Sequence, residues 1–247
     1  MKIQHRVISL STATKRRQDI KREFEREGLT FSFFDAVRGS ELNLTEFRAL
    51  DTPYERELSA GEVGCYLSHI SVLREFIDSD YDFLAVYEDD ICLKNNYAHR
   101  VNNILSGLDE KCFDILLVGY RNEYLSFWGS NRFNGVLLKR FCDYGWGAHS
   151  YVVTKTSAQK ILSHFSFPLL PYDCITGGYT KKYANWKNVL LKIYATPNKL
   201  VELHEVNSES STIEDREDLR SNAKGRLLKP IVNIVKALKP LSRYHYE

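Results

Sequence analysis

Tyr81-Asp82-Phe83-Leu84-Ala85-Val86-Tyr87-Glu88-Asp89-Asp90-Ile91 drives an apolar run straight into three consecutive acids. The run has the length and composition of a buried strand. Such a strand cannot carry three unpaired carboxylates, because a desolvated charge without a partner is costly or neutralises. A strand over 82–87 that ends near Glu88 removes the conflict: the acids then emerge at its carboxyl end, where open α/β sheets place their ligands. Side chains alternate along a strand, so Glu88 and Asp90 point one way and Asp89 the other. Something positive should meet them. Two or three carboxylate oxygens on a short turn suit a hard divalent cation, Mg²⁺ or Mn²⁺, with its remaining positions left to water and phosphate oxygens. A plain solvated turn is the other reading of the same residues.

Working outward, residues 2–10 read as a strand, with Ile3, Val7, Ile8 and Leu10 apolar. A helix from Lys15 to Glu27 follows, capped by Thr12 or Thr14 and closed by Gly28. Residues 30–35 form a short aromatic-rich strand, and 36–40 a loop. Ser59 and Glu62 have the spacing of a capping box, and Val63, Leu67, Ile70, Leu73 and Ile77 recur at helical intervals, so a helix starts there despite its two glycines. On that helix Glu62, Tyr66 and His69 share one face. Beyond the acids come a helix near 95–107, a strand at 113–120, an irregular recognition region over 121–147, a strand at 150–155 and a helix over 157–164. This alternation predicts an α/β sandwich with a largely parallel sheet.

With 247 residues, 43% apolar and 27% charged, the chain suits one large globular domain and is neither disordered nor collagen-like. No run approaches the ~20 apolar residues of a membrane span. The apolar part of MKIQHRVISLSTATKRR is too short for a signal peptide, so the expectation is a cytoplasmic protein. Five cysteines, Cys65, Cys92, Cys112, Cys142 and Cys174, stand singly and read as reduced, mostly buried thiols.

The net charge of +2 is unevenly spread: residues 216–247 carry eight basic residues against three acids, which leaves residues 1–215 mildly acidic. Two parts are therefore expected, a globular domain over 1–215 and a basic tail over 216–247. In the tail Ile231, Ile234, Val235 and Leu238 form a helical stripe with Lys236 opposite. Such a helix suits an anionic membrane surface, and would make the protein peripheral on the cytoplasmic face of the inner membrane. The same stripe also suits packing on its own domain or on a second copy in a homodimer. No basic patch interleaved with aromatics points to nucleic acid.

YEDDI after an apolar strand, GEVGCYLSH before it, FFDAVRG upstream, GAHSYVVTKTSAQKIL downstream and PYD at 171–173 together resemble glycosyltransferase family 25, the lipooligosaccharide galactosyltransferases. The motifs stand in the family's order over roughly residues 3–205. The resemblance implies a GT-A fold, a UDP-sugar donor (usually UDP-galactose), a divalent metal, Mn²⁺ or Mg²⁺, and inversion at the anomeric carbon onto a glycolipid oligosaccharide. It implies that Asp90 is the direct metal ligand and that Glu88 contacts ribose or metal-bound water, with His204 as a late metal ligand. Asp173, in PYD, is the implied general base, with Asp143 in FCDYGWG as the alternative. Ser9, Arg16, Asp35, His69 and Asp89 are the further donor contacts it implies. This chain has Ser9-Leu10-Ser11-Thr12 where the family usually has Asn-Leu-acid-Arg, so its nucleotide contacts depart from the pattern. A metal-dependent phosphohydrolase would want more ligands than the sparse His and Asp pattern offers. A non-catalytic sugar-binding module would be expected to have lost the acid motif, which is intact.

Overall fold

The computed structural model describes residues 1–48, 57–121, 125–142, 145–178 and 190–204. The acidic run ends a strand, β3 (Phe83–Glu88). Its neighbours are β1 (Ile3–Ser9), parallel to it, and β8 (Ser150–Thr154), antiparallel. β2 (Ser32–Asp35) lies outside β1, in parallel. On the other side β5 (Ile115–Leu117), β9 (Ile193–Ala195), β7 (Val136–Phe141) and β6 (Leu125–Phe133) complete an eight-stranded sheet in the order β2-β1-β3-β8-β5-β9-β7-β6. Only β7 and β8 run against the direction shared by the others, so the sheet is largely parallel in strand direction yet mixed in its pairings. A separate ladder joins β4 (Ile91–Leu93) to β10 (Val201–Leu203) just beyond the acids.

β3 reads as continuously apolar because both of its faces are covered. Leu84 and Val86 enter a core with α3 (Ala60–Ile77), α5 (Lys155–Phe165) and α6 (Tyr172–Thr176). Phe83, Ala85 and Tyr87 enter a second core with α1 (Thr14–Arg26) and α4 (Tyr97–Ser106). All five of these side chains are at most 6% exposed.

The predicted elements appear with boundary shifts of a few residues. Ser59 caps α3 with the full reciprocal capping box, which occupies Glu62. α1 has no side-chain cap; Ala13 stands at its N-cap rather than Thr12 or Thr14. Gly64 of α3 lies against the 36–39 loop so closely that a Cβ there would sit 2.5 Å from the Val37 carbonyl oxygen, while Ser68 Oγ accepts from Val37 N at 2.9 Å. The glycine in the helix is therefore a packing requirement. None of the five cysteines forms a disulfide, as expected, but only Cys112 and Cys174 are buried and the other three are half-buried.

The region over 121–147 departs most from expectation. Instead of an irregular loop it contains the hairpin β6–β7, closed by Asn134 (φ 46°) and Gly135 (φ 86°). The residues flanking that turn, Phe133 and Val136, are cross-strand partners, the arrangement that Asn-Gly favours because both central residues adopt positive φ. A short α2 (Thr45–Arg48) precedes α3. The predicted domain boundary and tail helix lie outside the described residues, and among those residues no helix is long and apolar enough to cross a membrane.

Candidate active site

The period of two along β3 carries each acid to a different helix. Glu88 continues the face of Leu84 and Val86, towards α3, where His69 Nε2 stands 3.6 Å from its Oε1. Asp89 continues the face of Tyr87, towards α1. There its carboxylate takes a salt bridge from Arg16 at 2.9 Å and a hydrogen bond from Ser9 Oγ at 2.6 Å. Asp90 ends the turn, and its backbone carbonyl accepts from His204 N at 2.8 Å, which brings the end of β10 alongside.

The three carboxylates thus meet different electrostatics. Burial raises the Asp89 carboxyl, and the Ser9 hydrogen bond and Arg16 only partly offset it. Burial also acts to raise Glu88, but its contact with His69, and then the nearby His149 and Arg121, outweigh it and lower the carboxyl. Asp90 is pushed up to about 7 by burial first and by Glu88 and Asp89 next, against the pull of Arg121 and Arg16. Asp90 Oδ1 is buried and no protein donor among the described residues reaches it. A buried carboxylate oxygen without a donor, one residue from a carboxylate that Arg16 already neutralises, fits a divalent cation.

Among the remaining predicted residues, Arg16 and Ser9 are placed on Asp89 as a clamp. Asp35 is paired in register with Ser9 and forms an ion pair with Arg17. Arg17 also donates to the Ser9 carbonyl at 2.8 Å and lies over the Phe33 ring at 4.6 Å. Asp35 therefore sits at the site's edge, with its side chain 72% exposed. Asp173 is the second residue of α6, in its first turn, and is half-buried. Its neighbour Tyr172 stacks on the His69 ring, with centroids 4.3 Å apart and planes within 4°. Asp173 therefore follows a residue that touches the site. His204 reaches the site through its backbone and its side chain is exposed. Asp143 lies outside the described residues. Tyr66 shares the His69 face as expected, both rings packing on Tyr172, while its hydroxyl donates to the Phe165 carbonyl at 2.7 Å.

A model of glycosyltransferase family 25 (LPS biosynthesis protein) matches residues 2–176, from β1 to the end of α6. The chain belongs to that family.

Within the family and around it, the chain is 27% identical over 179 residues to human procollagen galactosyltransferase 2, covering 68% of this chain and 28% of that protein. It is 38% identical over 93 residues to a putative glycosyltransferase of Haemophilus influenzae, covering 36% of this chain and 33% of that protein. The lipooligosaccharide biosynthesis protein lic2B of the same species is 33% identical over 91 residues, covering 36% and 34%. The matches thus span about a third or less of these relatives' own lengths. Among solved structures, a Drosophila β-1,4-galactosyltransferase 7 mutant complex gives a TM-score of 0.41 at 8% identity, covering 89% of this chain and 79% of that one.

Several residues of this family 25 site were not legible as such. His149 is 2% exposed; its carbonyl accepts from Glu88 N at 3.0 Å and its Nδ1 has no hydrogen-bond partner. Burial holds its imidazole down to about 4. Tyr151 donates to Tyr172 Oη at 3.1 Å and so accepts from His69 Nδ1 at 3.0 Å. In sequence both belong to HSYVV, which reads only as a strand; the available hint was a histidine and a tyrosine in a strand that pairs beside the acidic one. Trp146 is 37% exposed, with φ 47°, and its carbonyl accepts from Arg121 N at 3.2 Å.

Proposed function

We propose that this chain is a metal-dependent inverting glycosyltransferase that moves a hexose, galactose from UDP-galactose, onto a hydroxyl of a lipooligosaccharide or lipopolysaccharide oligosaccharide. The observation that carries the reading is the turn after β3. There Glu88 and Asp89 are each met by a side chain of the protein, whereas Asp90 keeps a buried oxygen that no donor among the described residues meets. The galactose donor and glycan acceptor follow from the names of the relatives, human procollagen galactosyltransferase 2 and lic2B.

Asp90, with Glu88 and His204 beside it, would hold Mn²⁺ or Mg²⁺, whose charge stabilises the diphosphate as it leaves. Arg16 fixes Asp89 and keeps the turn in one conformation. His69 restrains Glu88 from the α3 side, and Ser9 closes the other side through Asp89. Asp173 takes the proton from the acceptor hydroxyl as that oxygen attacks the anomeric carbon from the face opposite the nucleotide. Asp143 is the other candidate for that role. Inversion follows from this single displacement. The basic residues of 216–247 would hold the enzyme on the cytoplasmic face of an anionic membrane, beside a glycolipid acceptor.

The test is a screen of UDP-sugars for transfer and for hydrolysis, with and without Mn²⁺, on the wild type and on Asp90→Asn. The proposal expects metal-dependent turnover of UDP-galactose that nearly disappears in Asp90→Asn while the fold persists. Full activity of Asp90→Asn at limiting Mn²⁺ would overturn it, and phosphoester hydrolysis with no sugar donor would replace it by a phosphohydrolase. Removing residues 226–247 should release the protein from anionic vesicles and leave transfer to a soluble acceptor intact. Aggregation or lost activity instead would show that the stripe packs on protein, its own domain or a second copy.

A further inference from the structure

The α3 face that carries His69 holds a second set of ligand atoms, which the proposed transfer does not use as a set. Cys65 and His69 stand four residues apart on α3, and ligand atoms of Cys65, His69 and Glu88 all lie within 4.8 Å of one another. His69 is wholly buried and its Nε2 has no hydrogen-bond partner. The other ring nitrogen is engaged, 3.0 Å from Tyr151 Oη. Because Tyr151 donates its hydroxyl hydrogen to Tyr172, it must accept from His69, so Nδ1 carries the proton. Nε2 then faces Glu88 Oε1, 3.6 Å away, where either a proton on Nε2 or a cation between the two atoms satisfies the carboxylate; a bound cation takes the place of that proton. Stacking on Tyr172 fixes the ring plane. Ligating histidines have this arrangement, with tautomer and orientation held by a hydrogen bond on the far nitrogen.

We propose that Cys65, His69 and Glu88 form a site for a thiophilic divalent cation of the Zn²⁺ class, with ligand chemistry unlike that at Asp90. One thiolate, one imidazole and one carboxylate favour zinc over Mg²⁺ or Mn²⁺, which prefer oxygen donors. Three protein ligands leave a fourth position for water. Binding releases the Cys65 thiol proton, and any proton on Nε2, to solvent. Glu88 belongs to both sites, so zinc occupancy withdraws it from the donor side and inhibits turnover that manganese supports. The site stands on side-chain geometry and does not rest on the transfer reading.

The experiment titrates the metal-free full chain with Co²⁺, a spectroscopic stand-in for Zn²⁺, in the wild type, Cys65→Ala and Asp90→Asn. The expected result is a sulfur-to-cobalt charge-transfer band in the wild type and in Asp90→Asn, displaced by Zn²⁺ and lost in Cys65→Ala. Tyr151→Phe keeps all three ligands but removes the hydroxyl that orients His69, and should weaken zinc binding about 10–100-fold. A wild type without the band, a band that survives in Cys65→Ala, or zinc affinity unchanged in Tyr151→Phe each overturns the site. A band lost in Asp90→Asn alone places the metal at the acidic turn and overturns it too. Absent sugar transfer with the band present leaves the zinc site standing and counts only against the proposed function.

Discussion

The turn after β3 and the hairpin β6–β7 belong to one sheet, yet they are built in opposite ways. The turn follows a strand covered on both faces, so its acids emerge where helices already stand, and Arg16 and His69 meet two of them. The hairpin lies at the far edge, and within β7 Leu138 is the one buried residue. It is tied to β9 largely through Tyr194, whose hydroxyl accepts from Asn131 at 2.5 Å and from Arg140 at 2.9 Å. Where packing covers both faces, the position of every side chain is determined and a site can be exact; at the edge, hydrogen bonding and a turn suffice, and substitution is cheaper.

Five substitutions test that contrast, from the largest expected effect to the smallest. Asp173→Asn should lower turnover by about 10²–10⁴-fold with little change in donor affinity, measured as kcat against KM for the donor. Unchanged turnover would redirect the base to Asp143. Leu84→Ala, which opens a cavity in the fully covered strand, should cost about 2–5 kcal/mol in urea unfolding, whereas Leu137→Ala in the half-buried hairpin should cost about 1 kcal/mol or less. Equal costs would break the comparison.

The covered end of the sheet should also be the pH-sensitive one. His5 on β1 is 7% exposed and bonded at 2.8 Å to Tyr87 Oη, and burial lowers its pKa to about 4. The unfolded chain binds this proton near the ordinary histidine value of 6.5 and the folded chain only near 4. Stability is therefore complete above the unfolded value and declines as pH falls towards 4, by on the order of 3 kcal/mol from this residue. His5→Gln should flatten the fall of the urea midpoint between neutral and acidic pH. An unchanged fall would assign it to His149, whose imidazole is held equally low, or to carboxylates. Last, Gly135→Ala has room around it but a φ of 86°, so strain alone should cost about 1 kcal/mol and leave turnover unchanged.

The legibility of these regions in sequence follows the same physics. β3 was readable because two covered faces demand an unbroken apolar run, and the acids marked its end. α3 was readable from its capping box, since Ser59 and Glu62 act within one turn. The hairpin was misjudged although Asn134-Gly135 signals it, because its flanks, SFWGSNRF and VLLKRF, lack the strict alternation of a half-buried strand. β9 and β10 were missed because three-residue strands exist only by virtue of their partners.

By itself the sequence determined what depends on neighbours along the chain: the strand that ends in acids, the alternation that sends Glu88 and Asp89 to opposite faces, the capped helix, and the motif order that marks family 25. Only the tertiary structure decided which charge meets which. Arg16, Ser9 and Asp89 are drawn from positions up to 80 apart, and Cys65, His69, Tyr151 and Tyr172 gather around Glu88 from the wider span of 65–172. A carboxylate's partner is set by Coulomb attraction and burial over a few ångströms of space, and distances along the chain do not encode that proximity until the sheet and its two layers of helices have formed.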